Sequence, residues 1–245
     1  MTFLVEVVNW FLAPEHWAGS DGIPSRIGEH LWLSATITLV AVAIALPIGV
    51  ICGHLNRGGF VSINVANFGR AIPSLALLAL AFPLALSWRF PWAERPLGFG
   101  FWPTFLALVP LGIPPILTNS YVGVREVDRD VVEAARGMGL REQQVLRSVE
   151  IPIALPIILA GIRNSAVAIV ATATLGALVA GGGLGRYLVD GLARQDYPRM
   201  FVGALLVALL AIAVEVAFSG LERVVVSAGV RGREAAEPRL GELPR

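Results

Sequence analysis

Two ionisable side chains stand deep inside otherwise apolar stretches of this chain: Arg163, in AGIRNSAVA, and Glu215. A charge at membrane depth is costly, so it faces a bundle interior or a water-filled cavity and tends to find a partner. If the two stretches are antiparallel neighbours, Arg163 lies about 17 Å and Glu215 about 12 Å from their inner ends, at 1.5 Å per helical residue. The spacing therefore predicts that they pair, or share one hydrogen-bond network, at an inner vestibule. The competing readings are that Arg163 snorkels to the inner interface and that Glu215 is simply solvated. Asn164 and Thr172 are candidates to line a path beside these charges. Ser165 and Thr174 fit helix–helix packing better.

Other chemistry is limited by what the chain lacks. All 19 basic residues are arginine. A Walker-A phosphate loop needs a lysine to reach the phosphates, so any ATP hydrolysis must come from another polypeptide. The run Gly181-Gly182-Gly183-Leu184-Gly185 follows a predicted helix rather than a strand and is not a phosphate loop. His16, His30 and His54 are far apart and show no metal-ligand spacing. Cys52 is the sole cysteine and suits packing. No catalytic residue, metal site or cofactor site is expected in this chain. A net charge of +1 gives no reason to expect nucleic acid.

The elements that must position these residues are apolar and long. The chain is 56% hydrophobic and 15% charged, with a mean hydropathy of +0.71, whereas soluble domains carry about 25% charged residues. Five stretches, 31–53, 62–87, 100–121, 153–180 and 201–222, meet the length of about 18 or more residues that a membrane span requires. Arg70 interrupts the second. Pro73, Pro83, Pro110, Pro114, Pro115 and Pro156 break three spans, as kinks or as gates. With 124–150 on the inside, inside segments hold eleven arginines against six outside, which predicts the N-terminus out and the C-terminus in. The expected fold is all-α and integral to the membrane, with about five transmembrane helices. Residues 1–27 read as an external or interfacial segment, with a mobile terminus as the competing reading. They lack the basic region of a signal peptide. Residues 28–225 form the transmembrane domain, and 226–245 a disordered cytoplasmic tail. Trp88, Trp92, Phe99, Phe101 and Trp102 fit an aromatic belt better than a cation–π cage.

Residues 124–150 are charged, with five arginines, and have helical periodicity of their own. Val127, Val131, Val132, Ala135, Met138, Leu140, Val145, Leu146 and Val149 recur as on an amphipathic helix pair, and Gly137 and Gly139 break or bend it. A loop with its own apolar face needs something to dock against. Glu133-Ala134-Ala135, then Gly139, then Val149-x-Ile151-Pro152 resembles the EAA loop of ABC-importer permeases, with Val and Ile replacing Ile and Leu. RAIPSLALLAL at 70–80, YVGVREVDRDVVEAARGMG at 121–139 and ATLGALVAGGGLG at 173–185 are similar to the osmoprotectant branch, which imports glycine betaine, choline and carnitine.

The resemblance implies a multi-pass subunit of the bacterial plasma membrane, with the EAA coupling loop at 124–152. Glu133, Ala134, Ala135, Gly137, Gly139 and Leu140 would couple it to a separate ATPase, which carries ATP and Mg. A second permease chain, the same or related, would complete the path within membrane lipid. An extracytoplasmic binding protein would dock outside. Arg186, Asp190, Arg194 and Asp196 in the segment 184–199 are candidates for that dock, an ordinary solvated loop being the alternative. The competing function is a secondary transporter or channel subunit for a small solute. Two deep ionisable residues and no obvious inverted repeat argue against it.

Overall fold

The computed structural model describes residues 2–59, 64, 72–87 and 99–226. Those residues are helical apart from turns. Helix α1 (Thr2–Leu12) and a 3-10 turn (Pro14–His16) precede α2 (Ile23–His54). Helix α3 spans Ser74–Ser87 and α4 spans Phe101–Arg125. Two short helices follow, α5 (Arg129–Gly137) and α6 (Glu142–Val145). Helix α6 runs through a π turn (Leu146–Glu150) into α7 (Ile151–Thr172), which tightens to 3-10 over Ala173–Val179. Helices α8 (Gly185–Ala193) and α9 (Tyr197–Val225) complete the described chain.

Among the described residues, four helical runs are long and apolar enough to cross a membrane: Ile23–His54, Phe101–Arg125, Glu142–Val179 and Tyr197–Val225. The second of the five expected spans, 62–87, falls partly outside the described residues, as do Arg70, Trp88, Trp92 and nearly all of the tail. Its described part is α3, which has 14 residues; Pro73 precedes that helix rather than interrupting it. Two of the helical runs begin well before the expected spans. Helix α2 begins at Ile23, with proline in its first turn, where a missing N–H costs nothing. The polar turn at its start stays helical because Arg26 is neutralised by Asp21 and, at 2.8 Å, by Glu29. The third run reaches back to Glu142 because the π turn absorbs a change of pitch without ending the helix.

Helix α4 lies between α2 and α7, and glycines let all three approach to backbone contact. A Cβ on Gly49 would meet the Leu117 carbonyl oxygen at 2.7 Å, and one on Gly53 the Tyr121 carbonyl oxygen at 2.8 Å. A Cβ on Gly112 would strike Ile169 at 2.9 Å and Ala41 at 3.0 Å. Across the α4–α7 seam, Ser165 Oγ donates to the Gly112 carbonyl at 2.8 Å, a packing role that the sequence favoured. Without a hydrophobic drive between helices in lipid, small residues and such bonds supply the contact. Helix α1 is formed and packs on the helices near the chain's C-terminal end, Phe3 against Phe201 and Trp10 against Tyr187, with ring centroids 5.7 and 5.5 Å apart. Phe82 packs edge-on against Phe99, and Phe101, Trp102 and Phe105 pack on one another.

Gly161 tests this packing. A Cβ there would lie 2.6 Å from Asn119 Cβ and 2.9 Å from the Pro115 carbonyl oxygen. Gly161→Val is expected to lower stability by about 1–3 kcal/mol through overpacking, read as an earlier unfolding transition in detergent. Gly28→Val, at a position with open space around it, serves as the control and should shift the transition far less.

Candidate functional site

The α5–α6 hairpin has two faces, one buried and one exposed. Asp128 caps α5 by accepting the Asp130 backbone N–H at 2.9 Å, a standard way to satisfy a helix start. Val132 and Ala135 point inward, joining Val50, Val124, Val127, Val145, Ala154 and Ile158 in one cluster. Glu133, Ala134, Arg136 and Gly137 lie on the open face. Gly139 turns the chain with φ +88°, a conformation that side chains other than glycine and asparagine resist. Of the residues singled out for coupling, Ala135 is therefore turned into the protein's own core. Leu140 is half-buried beside it. Met138 corrects the periodicity reading: counted on the apolar face, it is 75% exposed, because the helix has already ended before Gly139.

A chain of charges ties this hairpin together and to α2. Arg136 grips Glu142 with both arms of its guanidinium, Nε to Oε1 at 2.9 Å and Nη2 to Oε2 at 3.0 Å. Hydrogen bonding to Glu142 raises the Arg136 pKa further above its ordinary value, so Arg136 is a permanent cation. His54 Nδ1 lies 2.5 Å from Oε2 of Glu150, which is 5% exposed. Neither contact was legible from the sequence, since the partners are far apart or on opposite sides of a turn.

Arg163 and Glu215 do meet, Nε to Oε1 at 3.3 Å. The network is larger than the sequence predicted. Arg163 Nη1 also reaches Ser219 Oγ at 3.3 Å and Glu222 Oε2 at 3.5 Å. Arg163 Nε makes no hydrogen bond of its own, so its contact with Glu215 is Coulombic rather than directional. Glu215, Ser219 and Glu222 follow the i, i+4, i+7 spacing of one helix face; that spacing was the available signal. Asn164 is exposed on α7, whereas Thr172 Oγ1 donates to the Ala168 carbonyl of its own helix at 2.7 Å.

At the other end of the bundle, the proposed docking residues are mostly committed to the fold. Asp190 pairs with Arg186 at 2.9 Å and Arg199 at 3.4 Å. Asp196 caps α9 by accepting the Arg199 N–H at 3.1 Å. Arg194 alone of the four is exposed. Tyr187 O–H donates to the Asp21 carbonyl at 2.6 Å, and burial raises its pKa, which keeps that donor protonated. His30 is held by the Val170 carbonyl at 2.8 Å, and His16 stacks on Trp10.

Comparison with known proteins places this arrangement. A family model described as "Binding-protein-dependent transport system inner membrane component" matches residues 45–226. The glycine betaine/carnitine/choline transport system permease protein OpuCB of Bacillus subtilis (strain 168) is 35% identical over 207 residues, covering 84% of this chain and 90% of that protein. The osmoprotectant import permease protein OsmW of Salmonella typhimurium is 32% identical over 203 residues, covering 83% and 91%. Among solved structures, a chain of the MetNI methionine ABC transporter in an inward facing conformation has a TM-score of 0.72 at 21% identity, covering 88% of this chain and 99% of that one. That last likeness concerns the fold alone.

The Arg163 network predicts non-additive losses. Arg163→Gln and Glu215→Gln should each destabilise the protein. The double variant should lose less than the sum, by about 0.5–1 kcal/mol for a partly exposed pair. Unfolding in detergent measures this; additive losses would show that the two side chains do not interact.

Proposed function

The chain belongs to the family of binding-protein-dependent transport system inner membrane components, and from that premise we propose that it carries quaternary-amine osmoprotectants such as glycine betaine, choline or carnitine. It is the permease subunit of an ABC importer in the inner membrane, and the ATPase is a separate subunit. The observation that carries the substrate class is the similarity to the osmoprotectant permeases, which runs along more than four-fifths of this chain.

The finer reading follows the geometry. Residues 62–87 supply a fifth span beside the four long runs, with the N-terminus outside and the C-terminus inside. The α5–α6 hairpin then sits on the ATPase side. Its open face, Glu133, Ala134, Gly137, Met138 and Gly139, is the surface on which the ATPase docks. The inward face, Val132 and Ala135, transmits the resulting tilt to α7 and α2 through the cluster that they share. Arg163, Asn164, Thr172 and Glu215 contribute polar groups to the pathway half, completed by a second permease chain. Arg186 and Arg194 mark the rim where a binding protein docks, with Asp190 and Asp196 holding that rim in shape.

Two experiments test this reading. The purified chain alone is expected neither to bind nor to hydrolyse ATP, as measured by nucleotide binding and phosphate release; turnover without a partner would contradict it. Gly139→Leu is expected to leave membrane abundance near normal but to abolish ATP-driven glycine betaine uptake by the assembled transporter. The cause is backbone strain rather than a clash, because open space surrounds Gly139. Gly139→Asn, which tolerates positive φ, should retain most uptake. Full uptake by the leucine variant would remove the hairpin from the mechanism.

A further inference from the structure

His54 ends α2 at the point where the hairpin folds back on the bundle. Its ring lies between two carboxylates from different segments. Nδ1 is 2.5 Å from Glu150 Oε2 on the π turn, and Nε2 is 3.5 Å from Glu142 Oε2 at the start of α6. The His54 and Glu150 side chains are only 11% and 6% exposed. Glu142 Oε2 is also the oxygen that accepts from Arg136 Nη2. One imidazole therefore bridges α2, the π turn and, through Glu142, the arginine of α5.

The proton inventory of this bridge is uneven. A neutral imidazole has a single N–H and one lone pair. The close contact with Glu150 places the proton on Nδ1, so a neutral ring aims the Nε2 lone pair at an oxygen of Glu142, and the two acceptors repel. A second proton turns Nε2 into a donor and converts that repulsion into an ion pair. The small polar cavity beside the ring is lined by Arg125 of α4, by Arg129, Glu133 and Arg136 of α5, and by Glu150. With Glu142, these groups balance as three cations against three carboxylates. Of the residue types gathered here, histidine is the one that ordinarily changes charge between about pH 5 and 8.

We propose that His54 is a proton-dependent positioning residue for the α5–α6 hairpin: protonated, it clamps Glu142 and Glu150 together against the end of α2; neutral, it releases Glu142. Its relevance to transport rests on the docking role given to the hairpin above. On that reading, mild acidification on the ATPase side stiffens the contact between the hairpin and the bundle. The bridge would act through the orientation of the docking face and touches neither solute nor nucleotide.

Hydrogen exchange tests this on the purified full-length chain in lipid nanodiscs. Protection of residues 126–150, corrected for intrinsic exchange, is compared at about pH 6 and pH 8. Protection should be about two- to five-fold greater at the lower pH, the scale of one partly exposed ion pair. His54→Gln keeps a donor for Glu150 but carries no charge, and should bring the ratio close to one. Glu142→Gln leaves the Glu150 contact in place and should also flatten the ratio, even though losing Arg136 loosens the hairpin at both pH values. A wild-type ratio of one, or an undiminished ratio in His54→Gln, would overturn the proposal. The experiment needs neither ATPase nor solute, so it decides the bridge even if the substrate or partner assignment fails.

Discussion

The rest of the structure depends on how closely α4 is approached from both sides. Gly49 and Gly53 of α2 meet its carbonyls on one flank, and Gly161 of α7 meets Pro115 and Asn119 on the other. Gly112, on α4 itself, admits Ala41 and Ile169. Lipid offers no hydrophobic gain for bringing apolar helices together, so this contact is won by packing of small residues and a few internal hydrogen bonds. The same approach sets the position of the hairpin. Residues Val124 and Val127 leave the end of α4 already in the cluster that receives Val132, Ala135 and Val145. The helix proposed to dock on the ATPase is thus anchored on the spine of the bundle and not on a tether.

Two of the charge clusters differ in kind. The Arg163 cluster joins two spanning helices through long contacts of 3.3–3.5 Å, one arginine facing two glutamates. The cluster at the hairpin is short and directional, with a two-armed Arg136–Glu142 pair and a buried Glu150. Two-armed arginine–carboxylate pairs add geometric specificity beyond their energy. Rigid ties at the hairpin and a looser tie within the bundle suit the coupling role proposed for the hairpin.

Much of this was legible in the sequence because membrane helices leave a strong apolar signal and because Glu133 to Pro152 carries a recognisable spacing. The pairing of Arg163 with Glu215 followed from depth alone. Span ends were misjudged where polar residues continue a helix: at Arg26, whose charge is paired locally, and at Glu142, where a π turn carries the helix through. Met138 was misassigned because periodicity assumes that a helix continues, whereas α5 ends at Gly137. The contacts of His54 with Glu150, and of Asp190 with Arg199, depend on which helices become neighbours. One sequence does not encode that in any local pattern.

The central claim is that the open face of α5 docks on a separate ATPase. Site-specific cross-linking from Ala134→Cys and Met138→Cys, in a Cys52→Ser background with the ATPase co-expressed, tests it most directly. Both positions should capture the ATPase, whereas Val132→Cys, on the inward face, should capture none. Capture from Val132→Cys as strong as from Ala134→Cys, or no capture from either open position while ATP-driven uptake persists, would contradict the account.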